Sequence, residues 1–352
     1  VEVREFMAQQ KIRVVVVDDS AFMRMVLKDI IESQPDMQVV GVAKDGLEAL
    51  QVIEEKKPDV VTLDVEMPKM NGIEVLKRIV QKHPVRVIMV SSLTEEGADI
   101  TITALTLGAV DFLTKPSGST SLTFREVADT LIAKIRNAML VDPKSVLTKQ
   151  IAKPTITTIK KTLLGNKAVV IGASTGGPRS LDVIIPALPE DFPAPVFLIQ
   201  HMPPLFTKSL AMRLNSVSKV RVKEAEDGEP AKKGTVYVAP GDFHMGVRTM
   251  NSTVQLYLDK SEKINNVRPA VDFTLTKVAE IYKSNTIAVI LTGMGRDGTK
   301  GAFMVKYYGG KVIAEHESTC VVYGMPKAVV EEGYADYILP ADKIAEKLVE
   351  LV

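Results

Sequence analysis

The chain has 352 residues, 46% of them hydrophobic and 25% charged, which suits two globular domains of roughly 100–200 residues each and excludes a largely disordered chain. Lys+Arg 44 against Asp+Glu 43 leaves a net charge of +1, so no global field draws the protein to nucleic acid or an anionic membrane, and its partners must be read from local sites. One cysteine, Cys320, rules out an internal disulfide framework and suits a reducing compartment. With no N-terminal signal pattern and no apolar run near the roughly 18 residues that span a bilayer, the expectation is a cytoplasmic protein without membrane insertion. Residues 1–6, ahead of Met7, read as an extension without a role.

From Ile12 onward, short apolar runs alternate with amphipathic stretches. "IRVVVVDDS" has buried-strand character, and Met23, Val26, Leu27 and Ile30 then recur at the spacing of one helix face. "MQVVGVA" with Leu47, Leu50 and Ile53 makes a second such unit, and "DVVTLD" with Ile73, Leu76, Ile79 and Val80 a third. "VRVIMVSS" and "VDFLTKP" add two more strands. Such a βα series predicts a five-stranded parallel sheet covered on both faces, with ligands at the carboxyl ends of its strands. Charged and hydroxyl groups fall at those ends: Asp18 and Asp19 after the first strand, Asp64 after the third, Ser91 after the fourth, Lys115 after the fifth. Any one of these acids reads most simply as a solvated loop residue. Three carboxylates converging on one edge repel unless a hard cation neutralises them, and an oxygen-only cluster suits Mg²⁺.

"VVVVDDS", "VTLDVEMPKMNG", "VSS" and "DFLTKP" resemble the receiver domain of bacterial response regulators over about residues 11–140. The resemblance implies a flavodoxin-like fold in which a histidine kinase phosphorylates Asp64. Mg²⁺ would sit on Asp18, Asp19, Asp64 and the backbone carbonyl of Glu66, with Ser91 bonding the phosphoryl group, Lys115 as its ion-pair partner and Phe112 as the aromatic switch residue. Residues 141–165, rich in Thr and Lys with two prolines and no sustained period, read as a linker.

A second α/β series opens at "KAVVIGASTGG", so the expected domain is residues 166–352, a doubly wound, mostly parallel α/β fold. "APVFLIQH" supplies its second strand and the segment from Leu205 to about Leu214 a helix. "KVRVKEAEDGE", "GTVYVAP" and "TVQLYLD", closely spaced between turn residues, predict an inserted β-ribbon. Val271, Leu275, Val278 and Tyr282 then mark a helix, "TIAVILTGMGRDG" and "KVIAEHE" further strands, and "DKIAEKLVELV" a closing helix.

"VVIGASTGGP" admits two readings. A dinucleotide fingerprint needs a glycine where Ser174 stands, and an acid at the end of the second strand, where Gln200 and His201 stand instead. Nucleotide binding therefore remains as the alternative. Gly172, Ser174 and Gly176 also fit G-x-S-x-G, in which small neighbours permit the sharp turn that exposes a serine nucleophile. Serine needs a base, and the base an orienting carboxylate. His201 ends a strand of the same sheet, and Asp297 in "LTGMGRDG" ends a third. Singly, Ser174 reads as a helix cap, His201 as a turn former before "MPP" and Asp297 as a turn acid; together, at three strand ends, they read as a catalytic triad. The "GMG" beside the acid leaves N–H groups to bind an oxyanion. Cys320 is ranked below Ser174, as a packed or pocket-lining thiol.

"IGASTGGP", "IQHMP", "YVAPGDFHM", "RPAVDFT", "ILTGMGRDG" and "CVVYGMP" resemble the catalytic domain of bacterial chemotaxis methylesterases, the CheB family. The resemblance implies hydrolysis of glutamate γ-methyl esters on chemoreceptors and deamidation of receptor glutamines, with Ser174 as nucleophile, His201 as base then acid, Asp297 as orienter, and Thr175 and the Met294 N–H assisting the oxyanion. His244 has no triad role and reads as a possible pocket wall. Ester hydrolysis needs no cofactor, so Mg²⁺ in the receiver is the one expected. Partners are chemoreceptors and a kinase, not nucleic acid; the protein is expected as a monomer recruited to chemoreceptor arrays, inhibited by its receiver until Asp64 is phosphorylated. A DNA-binding output half would need a basic recognition helix, and none is legible. A scaffold without catalysis would lack a reason for all three triad residues.

Overall fold

The structure is a computed structural model that describes residues 11–82, 85–115, 121–143 and 166–352; the expected linker lies outside these apart from residues 141–143, as does the expected extension, residues 1–6. The chain divides into two compact units, residues 1–148 and 149–352. No helix among the described residues is long and apolar enough to cross a membrane.

In the first unit, β1 (Ile12–Val17), β2 (Met37–Ala43), β3 (Val60–Asp64), β4 (Arg86–Ser91) and β5 (Asp111–Thr114) form one parallel sheet in the order β2-β1-β3-β4-β5. Val14 to Val17 are all fully buried rather than alternating, because helices cover both faces of a parallel sheet. Those helices are α1 (Ala21–Glu32), α2 (Gly46–Lys56), α3 (Gly72–Lys82), α4 (Glu95–Leu107) and α5 (Ser121–Ala138). Polar side chains start four of them: Ser20 Oγ accepts the Met23 N–H, Asp45 those of Leu47 and Glu48, Asn71 that of Glu74 and Thr94 that of Gly97. The inward stripe of α1 is Met23, Leu27 and Ile31, so Met23 and Leu27 of the expected set are buried, Val26 and Ile30 are half-buried and Ile31 closes the stripe. In α2 the inward residues are Ala49 and Ile53, and Leu47, expected inward, is 50% exposed. Residues two apart on a helix do not share a face, so seating Ala49 turns Leu47 outward.

In the second unit, β6 (Ala168–Ala173), β7 (Val196–Gln200), β8 (Arg221–Glu224), β9 (Thr235–Val238), β12 (Thr286–Ile290), β13 (Lys311–Glu315) and β14 (Tyr337–Leu339) make a seven-stranded, wholly parallel sheet in the order β14-β13-β12-β6-β7-β9-β8. Its helices are α6 (Gly177–Ile184), α7 (Phe206–Val217), α8 (Val271–Tyr282), α9 (Thr299–Tyr307), α10 (Met325–Glu331) and α11 (Ala341–Leu351). The ribbon is real but differently composed: β10 (His244–Met250) pairs with β11 (Thr253–Asp259), while "KVRVKEAEDGE" and "GTVYVAP" supply the last two strands of the parallel sheet, β8 at its edge and β9 between β7 and β8. Close spacing misleads here because a single short loop carries the chain from β8 to a slot beside β7. The strand order reverses at β6 and β12, and this crevice is where an open α/β sheet places its site.

Candidate active site and acidic cluster

β6 and β7 run in parallel register with Ala173 opposite Gln200, so the next residues, Ser174 and His201, leave the sheet side by side. The His201 N–H donates to the Ala173 carbonyl at 3.1 Å, and the Ser174 N–H to the Thr292 carbonyl beyond β12 at 3.0 Å. The Ser174 carbonyl accepts the Gly177 N–H at 2.8 Å and Gln200 Nε2 at 2.9 Å, closing the turn into α6. Gly293 permits this arrangement, since a Cβ there would stand 2.7 Å from Ser174 Cβ and 2.5 Å from Met325 Sδ.

The glycines around the serine are filled by the protein itself. A Cβ on Gly172 would meet Val271 at 2.4 Å, one on Gly176 would meet Val321 at 2.4 Å, and one on Gly177 would meet Gln200 Oε1 at 2.0 Å. A dinucleotide site keeps its glycines bare so that pyrophosphate can approach, and here side chains occupy that approach.

His201 Nε2 lies 2.8 Å from Asp297 Oδ2. Asp297 stands farther along than expected, in the loop between β12 and α9 rather than at the strand end. Its Oδ2 also accepts the Val271 N–H at 2.7 Å, and its Oδ1 the Asp272 N–H at 3.1 Å and Asn265 Nδ2 at 3.0 Å. Burial pushes this carboxyl up, but the hydrogen bond and charge of His201 and the two N–H groups opening α8 outweigh burial and hold it below the usual carboxylate range. Asp272 is the reverse: burial and then the charge of Asp297 push it up, against the N–H groups of Gly301 and Gly298 and the Asn265 amide. Met294 is 44% exposed, and Gly295 after it takes a φ of +82°. The Thr175 carbonyl accepts Thr292 Oγ1 at 3.0 Å. A pocket of about 470 Å³ lined by Asn265, Asp272, Arg296, Thr299, Lys300 and Phe303, among others, opens against the acid side of this set.

Three residues of this region were not read from the sequence. Asn265 and Asp272 brace the acid, and Glu315 lies fully buried at the end of β13. A charged residue closing a buried strand was the signal that marked Asp64, and "KVIAE" carries it too. His244 is no pocket wall: fully buried, its Nδ1 accepts the Ala270 N–H at 3.1 Å, its Nε2 bonds the Glu262 carbonyl at 3.0 Å, and its ring stacks on Phe273. Both nitrogens are thereby used in holding the chain ahead of α8. Cys320 is buried, with Sγ 3.8 Å from the Glu315 carbonyl.

In the first unit, ligand oxygens of Asp18, Asp19 and Asp64 lie within 4.8 Å of one another. Lys115 Nζ reaches Asp64 Oδ2 at 2.8 Å and Asp18 Oδ2 at 3.0 Å. Burial first, and the Asp18 charge, push the Asp64 carboxyl up to about 6 against the pull of Lys115 and the Glu66 N–H. Burial lowers Lys115, but its two carboxylate partners prevail and raise it. Ser91 Oγ donates to the Gly97 carbonyl at 3.1 Å, Glu66 to Asp64 Oδ1 through its N–H at 3.3 Å, and Phe112 is buried with Lys134 Nζ 5.6 Å from its ring centroid. Carboxylate oxygens without sulfur or imidazole, two buried and one exposed, fit a hard, partly hydrated cation.

Two family profiles match this chain: the response regulator receiver domain over residues 14–125 and the CheB methylesterase over residues 169–348. A protein-glutamate methylesterase/protein-glutamine glutaminase of Thermotoga maritima is 70% identical over 98% of this chain and 100% of its own length, and one of Pyrococcus horikoshii is 49% identical over 97% and 94%. The crystal structure of the Thermotoga maritima CheB methylesterase catalytic domain superposes with a TM-score of 0.53 at 72% identity, covering 54% of this chain and all of that one. With a strand register that sets Ser174 beside His201, a His201–Asp297 hydrogen bond and a receiver domain ahead of them in sequence, the chain belongs to the CheB methylesterase family.

Proposed function

We propose that this protein hydrolyses glutamate γ-methyl esters of chemoreceptors, and deamidates receptor glutamines, through a Ser174–His201–Asp297 triad. The observation that carries the reading is the His201 Nε2 to Asp297 Oδ2 contact of 2.8 Å beside a strand register that sets Ser174 next to His201. Asp297 is anionic and holds the Nε2 proton, which leaves Nδ1 as the acceptor for the Ser174 hydroxyl proton. Ser174 Oγ then adds to the γ-carbonyl carbon. Backbone N–H groups near Thr175 and Met294 take the oxyanion, His201 returns its proton to the departing methoxide, and methanol leaves. Water, deprotonated by the same ring, releases the glutamate. For glutamine the leaving group is ammonia.

The receiver half supplies control. Asp18, Asp19, Asp64 and the Glu66 carbonyl would hold Mg²⁺, which offsets negative charge as a phosphoryl group is transferred. Asp64 receives that group from a histidine kinase. Its added charge of roughly −1.5 to −2 recruits Ser91 and Lys115 and reshapes the surface around Phe112, relieving inhibition of the catalytic half. The enzyme acts in the cytoplasm at chemoreceptor arrays.

The test is methanol release from methylated chemoreceptor membranes, with and without Mg²⁺ and acetyl phosphate. The expected result is release that rises with the phosphodonor and vanishes in Ser174→Ala. No release from folded protein with a cognate receptor overturns the reading. Removal of residues 1–140 separates the gate: activity that stays at the basal level rules out inhibition by the receiver.

A further inference from the structure

We propose that Glu315 is a positioning residue for Ser174, acting through Thr292. The inference rests on Ser174 being the nucleophile and concerns what holds it in place.

Glu315 ends β13, which neighbours β12, which neighbours β6. Its fully buried carboxylate gathers three donors from three different segments. Oε2 accepts the Thr292 N–H at 2.8 Å, Oε1 accepts Thr319 Oγ1 at 2.9 Å, and Ser180 Oγ reaches Oε1 at 3.0 Å and Oε2 at 3.2 Å. Thr292 follows β12, Ser180 lies on the helix that follows the nucleophile, and Thr319 lies in the loop leading to Val321 and Val322.

Thr292 passes this anchorage to the serine. Its carbonyl accepts the Ser174 N–H at 3.0 Å, and its Oγ1 donates to the Thr175 carbonyl at 3.0 Å while accepting the N–H groups of Val321 and Val322, each at 3.0 Å. The same hydroxyl therefore joins the nucleophile's turn to the 319–325 loop. Gly293, next in the chain, is the residue whose missing side chain lets Ser174 sit where it does. A carboxylate that took no part in this lattice would be costly to bury; here each of its oxygens is used. A displacement of the serine by about 1 Å is worth on the order of 100-fold in rate, so a lattice that fixes its amide and its neighbour's carbonyl acts on turnover rather than on substrate binding.

The experiment compares Glu315→Gln, Glu315→Leu and Thr292→Val in the full-length protein. Each is measured by methanol release from methylated receptor membranes and by the labelling rate of Ser174 with a fluorophosphonate, and folding is checked by circular dichroism. Glutamine keeps an acceptor for Thr292 and can donate to Thr319, so Glu315→Gln is expected within about threefold of the parent kcat; Glu315→Leu and Thr292→Val are expected to lose about tenfold or more in kcat and labelling rate with KM within about twofold. Full kcat in folded Glu315→Leu overturns the proposal, and so does a Glu315→Gln variant that falls as far as the leucine. If Glu315→Leu does not fold, Thr292→Val against Thr292→Ser decides: equal rates in that pair overturn it, and retention by serine alone supports it. A parent protein that neither releases methanol nor takes up the fluorophosphonate defeats the triad reading instead, which keeps the two failures apart.

Discussion

Asp272 and Asp297 cap each other's helices. Asp297 accepts the N–H groups of Val271 and Asp272 that open α8, while Asp272, in that first turn, accepts those of Gly298 at 2.9 Å and Gly301 at 2.8 Å that open α9. Asn265 Nδ2 bridges the two carboxylates at 3.0 Å to each. Against its burial, the hydrogen bond and charge of His201 and the N–H groups opening α8 hold Asp297 below the usual carboxylate range, while burial and the Asp297 charge push Asp272 up.

Asp297→Asn is therefore expected to lower kcat by roughly 10³- to 10⁴-fold while leaving KM within a few-fold, since an amide cannot hold the charged ring and favours the wrong tautomer. Methanol release under saturating receptor reads this directly. A loss under tenfold would mean that His201 is oriented by something else.

Gly293→Ala should displace Ser174, because the added methyl would stand 2.7 Å from Ser174 Cβ with Met325 Sδ on its other side. Overpacking of this kind costs about 1–3 kcal/mol of stability. The expected outcome is a folded protein with a lower melting temperature and a fluorophosphonate labelling rate down by about 100-fold.

Mg²⁺ should stabilise the receiver half. Binding at ten times the dissociation constant adds about 1.4 kcal/mol, visible as an upward shift of one transition in calorimetry of the full chain. Asp18→Asn, which removes one of the three clustered carboxylates, should abolish the shift. A shift retained in that variant would place the cation elsewhere.

Glu315 gives the stability a pH signature. Burial raises its carboxyl above the usual glutamate value, with the Thr292 N–H, Thr319, Ser180 and the Arg179 charge opposing it in part. A group raised on folding contributes stability that is present below its unfolded value of about 4.3 and lost as pH rises through its folded value. Glu315→Gln has no such proton to lose. The parent should therefore lose ground to Glu315→Gln between acid and neutral pH in urea unfolding of the catalytic half; a constant difference across that range would show that Glu315 does not titrate there.

Much of the expected site was legible because most of its residues stand where an apolar run stops. Asp64, Ser91 and Ser174 are marked in this way, while Lys115 and His201 come one residue later, after Thr114 and Gln200; a buried strand is mostly apolar, so the polar residues at its end are conspicuous. Asp297 was found in the same loop, although it stands seven residues past β12. The parallel arrangement also followed from the chain, since alternating strands and helices leave few other ways to cover a sheet.

What only the tertiary structure decided is which strand lies beside which, and hence which residues share hydrogen bonds. The strands β8 and β9 read like a ribbon until their partners are known. His201 and Asp297 are separated by 96 positions, and Ser180 and Glu315 by 135. A hydrogen bond acts over about 3 Å, whereas the periodicity of a sequence reports only whether a face is buried. The chain alone thus announces polar groups at strand ends, but the order β13-β12-β6 is what turns Glu315, Thr292 and Ser174 into neighbours.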